Sequence, residues 1–124
     1  MNGETSLKGR RVLVVEDEMM IAMLAQDMLE EFECVVVGPA HTVDSALALA
    51  NGDGIDIALL DVNLSGQPVH QVADALRHKG VPMVFSTGYG EQGLRPQDRG
   101  SPVLQKPFRS ADLAVALQQA LNPG

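Results

Sequence analysis

"IALLDVNLSG" (Ile57–Gly66) runs from four apolar residues into a single carboxylate, Asp61, and then into turn formers. A short apolar run bounded by such signals reads as a strand buried on both faces, and an acid at its end is held at the rim of a sheet. Upstream, "RVLVVED" (Arg11–Asp17) is a β-branched run that also stops at acids, Glu16 and Asp17. Downstream, "VPMVFST" (Val81–Thr87) stops at hydroxyls and "PVLQKP" (Pro102–Pro107) at Lys106. With "CVVVG" (Cys34–Gly38) closed by Pro39, the chain carries five candidate strands.

Helical spacing fills the intervals. Ile21, Leu24, Ala25, Met28 and Leu29 lie at i, i+3, i+4, i+7 and i+8 and form one stripe; Val43, Ala46, Leu47 and Ala50 form another before Asn51-Gly52. Met19, Met20, Met23 and Met28 read as core filling, the usual role of thioethers at this spacing. Pro68 is suited to the first position of a third helix, with Val69, Val72, Ala73 and Leu76 inward and Gly80 as its stop. Ser110 is placed as the N-cap of a last helix that buries Leu113, Ala116, Leu117, Ala120 and Leu121. Such alternation, with strands apolar on both faces, predicts an α/β fold, a doubly wound five-stranded parallel sheet with helices on both sides. "GYGEQGLRPQDRG" (Gly88–Gly100) breaks the pattern. Each interior glycine costs a helix about 1 kcal/mol and an interior proline about 3 kcal/mol, so a short or disordered fourth helix is expected there.

Bulk properties narrow the function. At 124 residues and 45% apolar content the chain supports one ordinary domain, placed at residues 11–124 behind a flexible N-terminal segment, residues 1–10. A formal charge of −7 leaves no surplus of cations for a phosphate backbone, so nucleic acid is not an expected partner. Cys34 is the single cysteine and reads as a small buried hydrophobe; this and the lack of Cys/His metal spacing favour a cytoplasmic setting. No apolar run approaches the roughly 18 residues of a membrane span, so no membrane contact is expected.

Ligands of open α/β sheets sit outside the carboxyl ends of the strands. Glu16, Asp17, Asp61, Ser86, Thr87 and Lys106 all fall at such ends. Each alone reads as turn chemistry, an Asx turn or a solvated lysine. Together they place three carboxylates, hydroxyls and an ammonium at one edge. Carboxylates so close require a hard cation, and an all-oxygen set fits Mg²⁺ best, with Mn²⁺ able to serve on the same ligands. A carboxylate can attack phosphorus to give an aspartyl phosphate, for which a metal, an ammonium and a hydroxyl are the complementary groups.

"VVEDE", "IALLDVNLSG", "VFSTGYG" and "VLQKPF" resemble the receiver domain of two-component response regulators, over essentially the whole chain. The resemblance implies a flavodoxin-like sheet of order 2-1-3-4-5 and a phosphoacceptor role: Asp61 would take a phosphoryl group from a phosphohistidine on a sensor histidine kinase. It further implies that Asp17 and Asp61 ligate Mg²⁺ directly, Glu16 acts through water, and the backbone carbonyl of Asn63 completes the site. Thr87 and Lys106 would engage the phosphoryl oxygens, with a cis bond before Pro107. Such a protein promotes its own phosphorylation and dephosphorylation but turns over no separate substrate.

Two departures matter. Glu16 replaces the first of the usual two aspartates, and Val103 stands where the family usually carries an aromatic switch residue. "FSTGYG" resembles a subgroup marked by Phe-Ala-Thr-Gly-Tyr-Gly, often single-domain regulators paired with kinases of an atypical class. The switch and partner face is accordingly expected at Thr87, Gly88, Tyr89, Val103 and Pro107, with ordering of Gly88–Gly100 as the signal. A monomer is expected, and the downstream protein or phosphotransferase is left open. His41, His70 and His78 read as surface or packing residues away from the strand ends, and Arg95, Arg99 and Arg109 as scattered surface cations. Two rivals compete: a pseudo-receiver that signals by contact alone, and a haloacid-dehalogenase-like phosphatase. The latter needs an aspartate two residues after its nucleophile, where this chain has Asn63.

Overall fold

Alternation along the strands sorts the core into two halves. The computed structural model of the chain describes residues 6–64, 66–88 and 94–122. In chain order the elements are β1 (Arg11–Val15), α1 (Met19–Glu31), β2 (Val35–Ala40), α2 (Val43–Ala50), β3 (Ile57–Asp61), β4 (Asn63–Leu64), β5 (Gln67–Pro68), α3 (His70–His78), β6 (Met83–Thr87), β7 (Val103–Gln105) and α4 (Ser110–Leu121). Val12, Val14, Ile57, Leu59, Val84 and Leu104 face one side and pack against Ala25, Met28 and Leu29 of α1 and Leu113, Ala116 and Leu117 of α4. Leu13, Val15, Ala58, Leu60, Met83 and Phe85 face the other and meet Ala46 and Ala50 of α2 and Val72, Ala73 and Leu76 of α3. Side chains alternate across a strand, so strands covered by helices on both sides must be apolar throughout. Each fully buried Val, Leu, Ile or Phe contributes roughly 1.5–3 kcal/mol, which fixes the register of the strands.

The main sheet has the order β2-β1-β3-β6-β7, all parallel, the expected 2-1-3-4-5 once only its own strands are counted. The chain leaves β1 for the β2 edge and then crosses back to β3, so the connections diverge at the carboxyl ends of β1 and β3. That divergence opens a crevice. At the β2 edge the register slips between Leu13 and Val15, opposite Gly38-Pro39. Gly38 has φ +96°, and a Cβ there would lie 2.8 Å from the Ala40 nitrogen, so glycine is required. At the other edge β7 is three residues long and lies between Pro102 and Pro107. The Lys106–Pro107 bond is cis, as the resemblance implies, and Gly38–Pro39 is cis as well.

Several expectations need correction. Met28 is buried, but Met19, Met20 and Met23 are 62%, 84% and 59% exposed, and Leu24 is exposed as well. The reason is that in its first turns α1 buries Ala22 and Ala25 and packs Ile21 against the core, which leaves Met19, Met20 and Met23 on the outward face. Pro68 does not open α3; it pairs with Asn63 in the small antiparallel β4–β5 ribbon, and the helix starts at His70. Ser110 is the first residue of α4, and Arg109 occupies the N-cap without a side-chain bond. Thr42 does cap α2, in a reciprocal capping box with Ser45.

Among the described residues, the β6–β7 connection holds a 3₁₀ turn at Pro96–Asp98 and no α-helix. That turn is firmly seated. Leu94 is buried in the α2/α3 side of the core. Asp98 is buried and accepts from Arg77 of α3 and, at 2.9 Å, from Arg95 Nε; Arg95 Nη2 reaches Asp74 of α3 at 2.7 Å. Arg95 is therefore not a scattered surface cation, and residues 94–98, within the segment expected to order, are seated on the core and on α3 in this structure. Tyr89 lies outside the described residues. At the other end of the described chain, Leu7 packs into the α1/α4 side of the core and accepts from Cys34 Sγ at 3.3 Å; the thiol is buried, as expected.

Candidate functional site

The site forms at the carboxyl ends of β1, β3, β6 and β7, where backbone ladders stop and side chains take over. Glu16 follows β1, its amide still donating to Ala40 at 2.9 Å. Asp61 is the last residue of β3; its Oδ1 accepts from the Asn63 amide at 3.2 Å, a local turn that aims the other oxygen inward. Thr87 ends β6 opposite Gln105, and its carbonyl accepts from the Lys106 amide at 2.8 Å, which fixes the lysine one residue past that pair. Lys106 Nζ then donates to Asp61 Oδ2 at 3.1 Å, to Glu18 Oε1 at 3.0 Å and to Glu16 Oε1 and Oε2 at 3.3 and 3.4 Å.

A cleft of about 740 Å³ lies over this cluster, walled by Asp17, Glu18, Ile21, Asp61, Asn63, His70, Thr87, Gly88, Lys106 and Pro107. Asp17, Asn63, Gly88 and Pro107 line this cleft beside the acids. Thr87 is buried in the cleft wall. Val103 is half-buried at the start of β7 and packs on the α2/α3 side of the core rather than lining the cleft. The carboxylates that approach within 4.8 Å of one another are Glu16, Glu18 and Asp61, with Asp17 beside them on the wall.

Glu18 was missed in the sequence. The sign was available: it is the third acid in a row after β1 and the N-cap residue of α1, and its amide donates to Glu16 Oε2 at 3.1 Å. Two histidines are also nearer the site than expected. His41 donates from Nδ1 to the Glu16 carbonyl at 2.8 Å, bracing the end of β1, and His70 lines the cleft. His78, at the end of α3, is exposed as expected.

The electrostatics follow from three acids around one ammonium. Burial pushes Glu16 up to about 7, with the Asp61 charge adding to the rise. Burial likewise holds Asp61 above the ordinary aspartate range. For Lys106 burial disfavours the charged form, but the bonds to Glu18 and Asp61 outweigh it and hold the ammonium above its ordinary value. One cation leaves this cluster short of positive charge, and the donors are all oxygen, so the residues fit a hard divalent ion.

Residues 12–118 match the family model described as response regulator receiver domain. The chain belongs to the receiver-domain family. Among curated proteins it is 32% identical to the transcriptional regulatory protein PdtaR of Mycobacterium tuberculosis over 117 residues, 91% of this chain and 57% of PdtaR. It is 30% identical to the phyllosphere-induced regulator PhyR of Methylorubrum extorquens, over 89% of this chain and 43% of PhyR. The chain therefore spans about half the length of these curated relatives. Among solved structures it resembles SdrG of Sphingomonas melonis Fr1 with 42% identity and a TM-score of 0.82, over 95% of this chain and 99% of SdrG. The BeF3-activated conformation of SdrG matches at 44% identity and TM-score 0.77, over 90% of this receiver and 95% of that chain. Receiver domains bind Mg²⁺ at an acidic pocket and are generally not metabolic enzymes. Among the described residues of this receiver no helix is long and apolar enough to cross a membrane.

Proposed function

We propose that this receiver is a phosphoacceptor, taking a phosphoryl group onto Asp61 from the phosphohistidine of a sensor kinase. The observation that carries the reading is the convergence of Glu16, Asp61 and Lys106 within hydrogen-bond reach at the crevice between β1 and β3, with Thr87 in its wall. Asp61 is held through Oδ1 by the Asn63 amide and through Oδ2 by Lys106, and a rigid strand end fixes its approach. Lys106 offers a positive group to phosphoryl oxygens, and Thr87 a hydroxyl. Asp17, Asp61 and the Asn63 carbonyl would hold Mg²⁺, with Glu16 acting through water; the ion supplies charge neutralisation for the transferring group.

The kinase is read as one of an atypical class, and the chain as a cytoplasmic monomer whose output passes through the Thr87–Gly88 and Pro107 rim. Gel filtration with and without a phosphoryl mimic tests the monomer. The main test is intact-mass spectrometry after incubation with acetyl phosphate and Mg²⁺. One phosphoryl adduct on the native chain and none on Asp61→Asn is the expected result. No adduct on the native chain overturns the reading in favour of a module that works by contact alone.

A further inference from the structure

Glu18 differs from the other acids of the cluster in how it is held. The side chains of Glu16 and Asp61 are 4% exposed, whereas that of Glu18 is 62% exposed at the mouth of the cleft. Yet Glu18 makes the shortest of the contacts to Lys106 Nζ, 3.0 Å. An ammonium has three donors. Here Nζ faces four oxygens on three carboxylates, so every donor is engaged and none is left for an incoming phosphoryl oxygen.

Of the three carboxylates, Glu18 is released most cheaply, because water can replace its partner while Glu16 and Asp61 would be left buried. We propose that Glu18 is a positioning residue that parks the Lys106 ammonium at the cleft mouth and thereby slows phosphoryl transfer to Asp61 from small anionic donors. This rests on the phosphoacceptor reading. In the step affected, an Asp61 carboxylate oxygen attacks phosphorus; the new O–P bond forms as the P–O bond to the acetyl group breaks, and acetate departs with the electron pair. No proton or redox partner is needed. Glu18 acts before that step, by occupying the ammonium, and it adds a negative charge where an anionic donor must enter.

The competing role for Glu18 is that of a metal ligand, since its oxygen lies within 4.8 Å of those of Glu16 and Asp61. Time courses of adduct formation with acetyl phosphate and Mg²⁺ on the native chain, Glu18→Gln and Glu31→Gln separate the two. Glu31 sits at the far end of the same helix and controls for the loss of one charge. Glu18→Gln should react about two- to fivefold faster at low salt, the range an exposed ion pair supports, with the gain shrinking as salt is raised. Glu31→Gln should match the native chain. Mn²⁺ affinity, read by the electron paramagnetic resonance of free ion, should be the same for native and Glu18→Gln.

A slower or unchanged Glu18→Gln, or weakened Mn²⁺ binding, overturns the proposal. A second measurement needs neither phosphate nor metal. Acylation of Lys106 by a neutral reactive ester, scored against Lys8 and Lys79 in the same sample, should rise about two- to fivefold in Glu18→Gln if that carboxylate holds the amine. Unchanged labelling overturns the parking role. Should the native chain take no adduct, the phosphoacceptor reading falls while the labelling still decides whether Glu18 holds Lys106.

Discussion

Among the described residues of this receiver, the ionic cluster around Lys106 and the one around Asp98 are built to opposite rules. Around Lys106, Glu16, Glu18 and Asp61 share one ammonium, and burial raises both buried carboxyls. Around Asp98, two guanidiniums, Arg77 and Arg95, meet two carboxylates, Asp74 and Asp98. There the hydrogen bond from Arg95 lowers Asp74, and for Asp98 burial is outweighed by the bonds from Arg95 and Arg77. A balanced cluster is complete in itself and serves the fold. A cluster short of charge is held together by the surrounding scaffold and is completed by what binds to it.

The sharpest way to break this contrast is to remove one acid from each. Asp61→Asn should abolish the phosphoryl adduct while leaving the metal-free urea midpoint unchanged or higher, since it relieves crowding among the carboxylates. Asp98→Asn should do the reverse, lowering stability by about 2 kcal/mol because it strips a buried partner from two arginines, with adduct formation retained. Urea titrations beside intact-mass spectra read both.

The pH dependence of stability should differ in sign. Glu16 is raised from 4.5 to about 7, so the stability linked to it is fully present below pH 4.5 and lost as pH rises through about 7. Asp98 is lowered below 3.8, so its contribution is present above that value and lost as pH falls through the lowered one. The melting temperature of the metal-free protein should fall on the order of 5 °C between pH 5 and pH 8, be restored at pH 8 by Mg²⁺, and lose that slope in Glu16→Gln. The smallest effect is expected from Asp74→Asn. Its side chain is 58% exposed and Arg95 keeps Asp98, so the change in stability should stay within about 0.5 kcal/mol.

The same contrast explains what could be read from sequence. The deficient cluster and its surroundings were largely legible, because Asp61 and Thr87 end strands, Glu16, Asp17 and Lys106 follow directly after strand ends, and the strands announce themselves as apolar runs. The balanced cluster was not, because Asp74 and Arg77 lie some twenty residues from the Arg95 and Asp98 they meet, and no local period links charges across a helix and a turn. The outward face of α1 was misread for a packing reason. Methionines outnumber alanines in its first turns, but the buried positions there are held by Ala22 and Ala25, with Ile21 beside them. Glu18 stood outside the residues read as the site, although it follows Glu16 and Asp17 directly.

The prolines at the margins of the sheet have a consequence for how this protein behaves in a crowd. Pro39 lies within β2, and Pro102 and Pro107 close β7 on either side, so each outer strand meets positions that offer no N–H to a newcomer. A β-rich assembly grows by adding strands to open edges, and a three-residue edge stopped by proline at both ends makes a poor template. The sheet is blunted against growth at both margins, and its partners are left to approach over the helices or the acidic crevice.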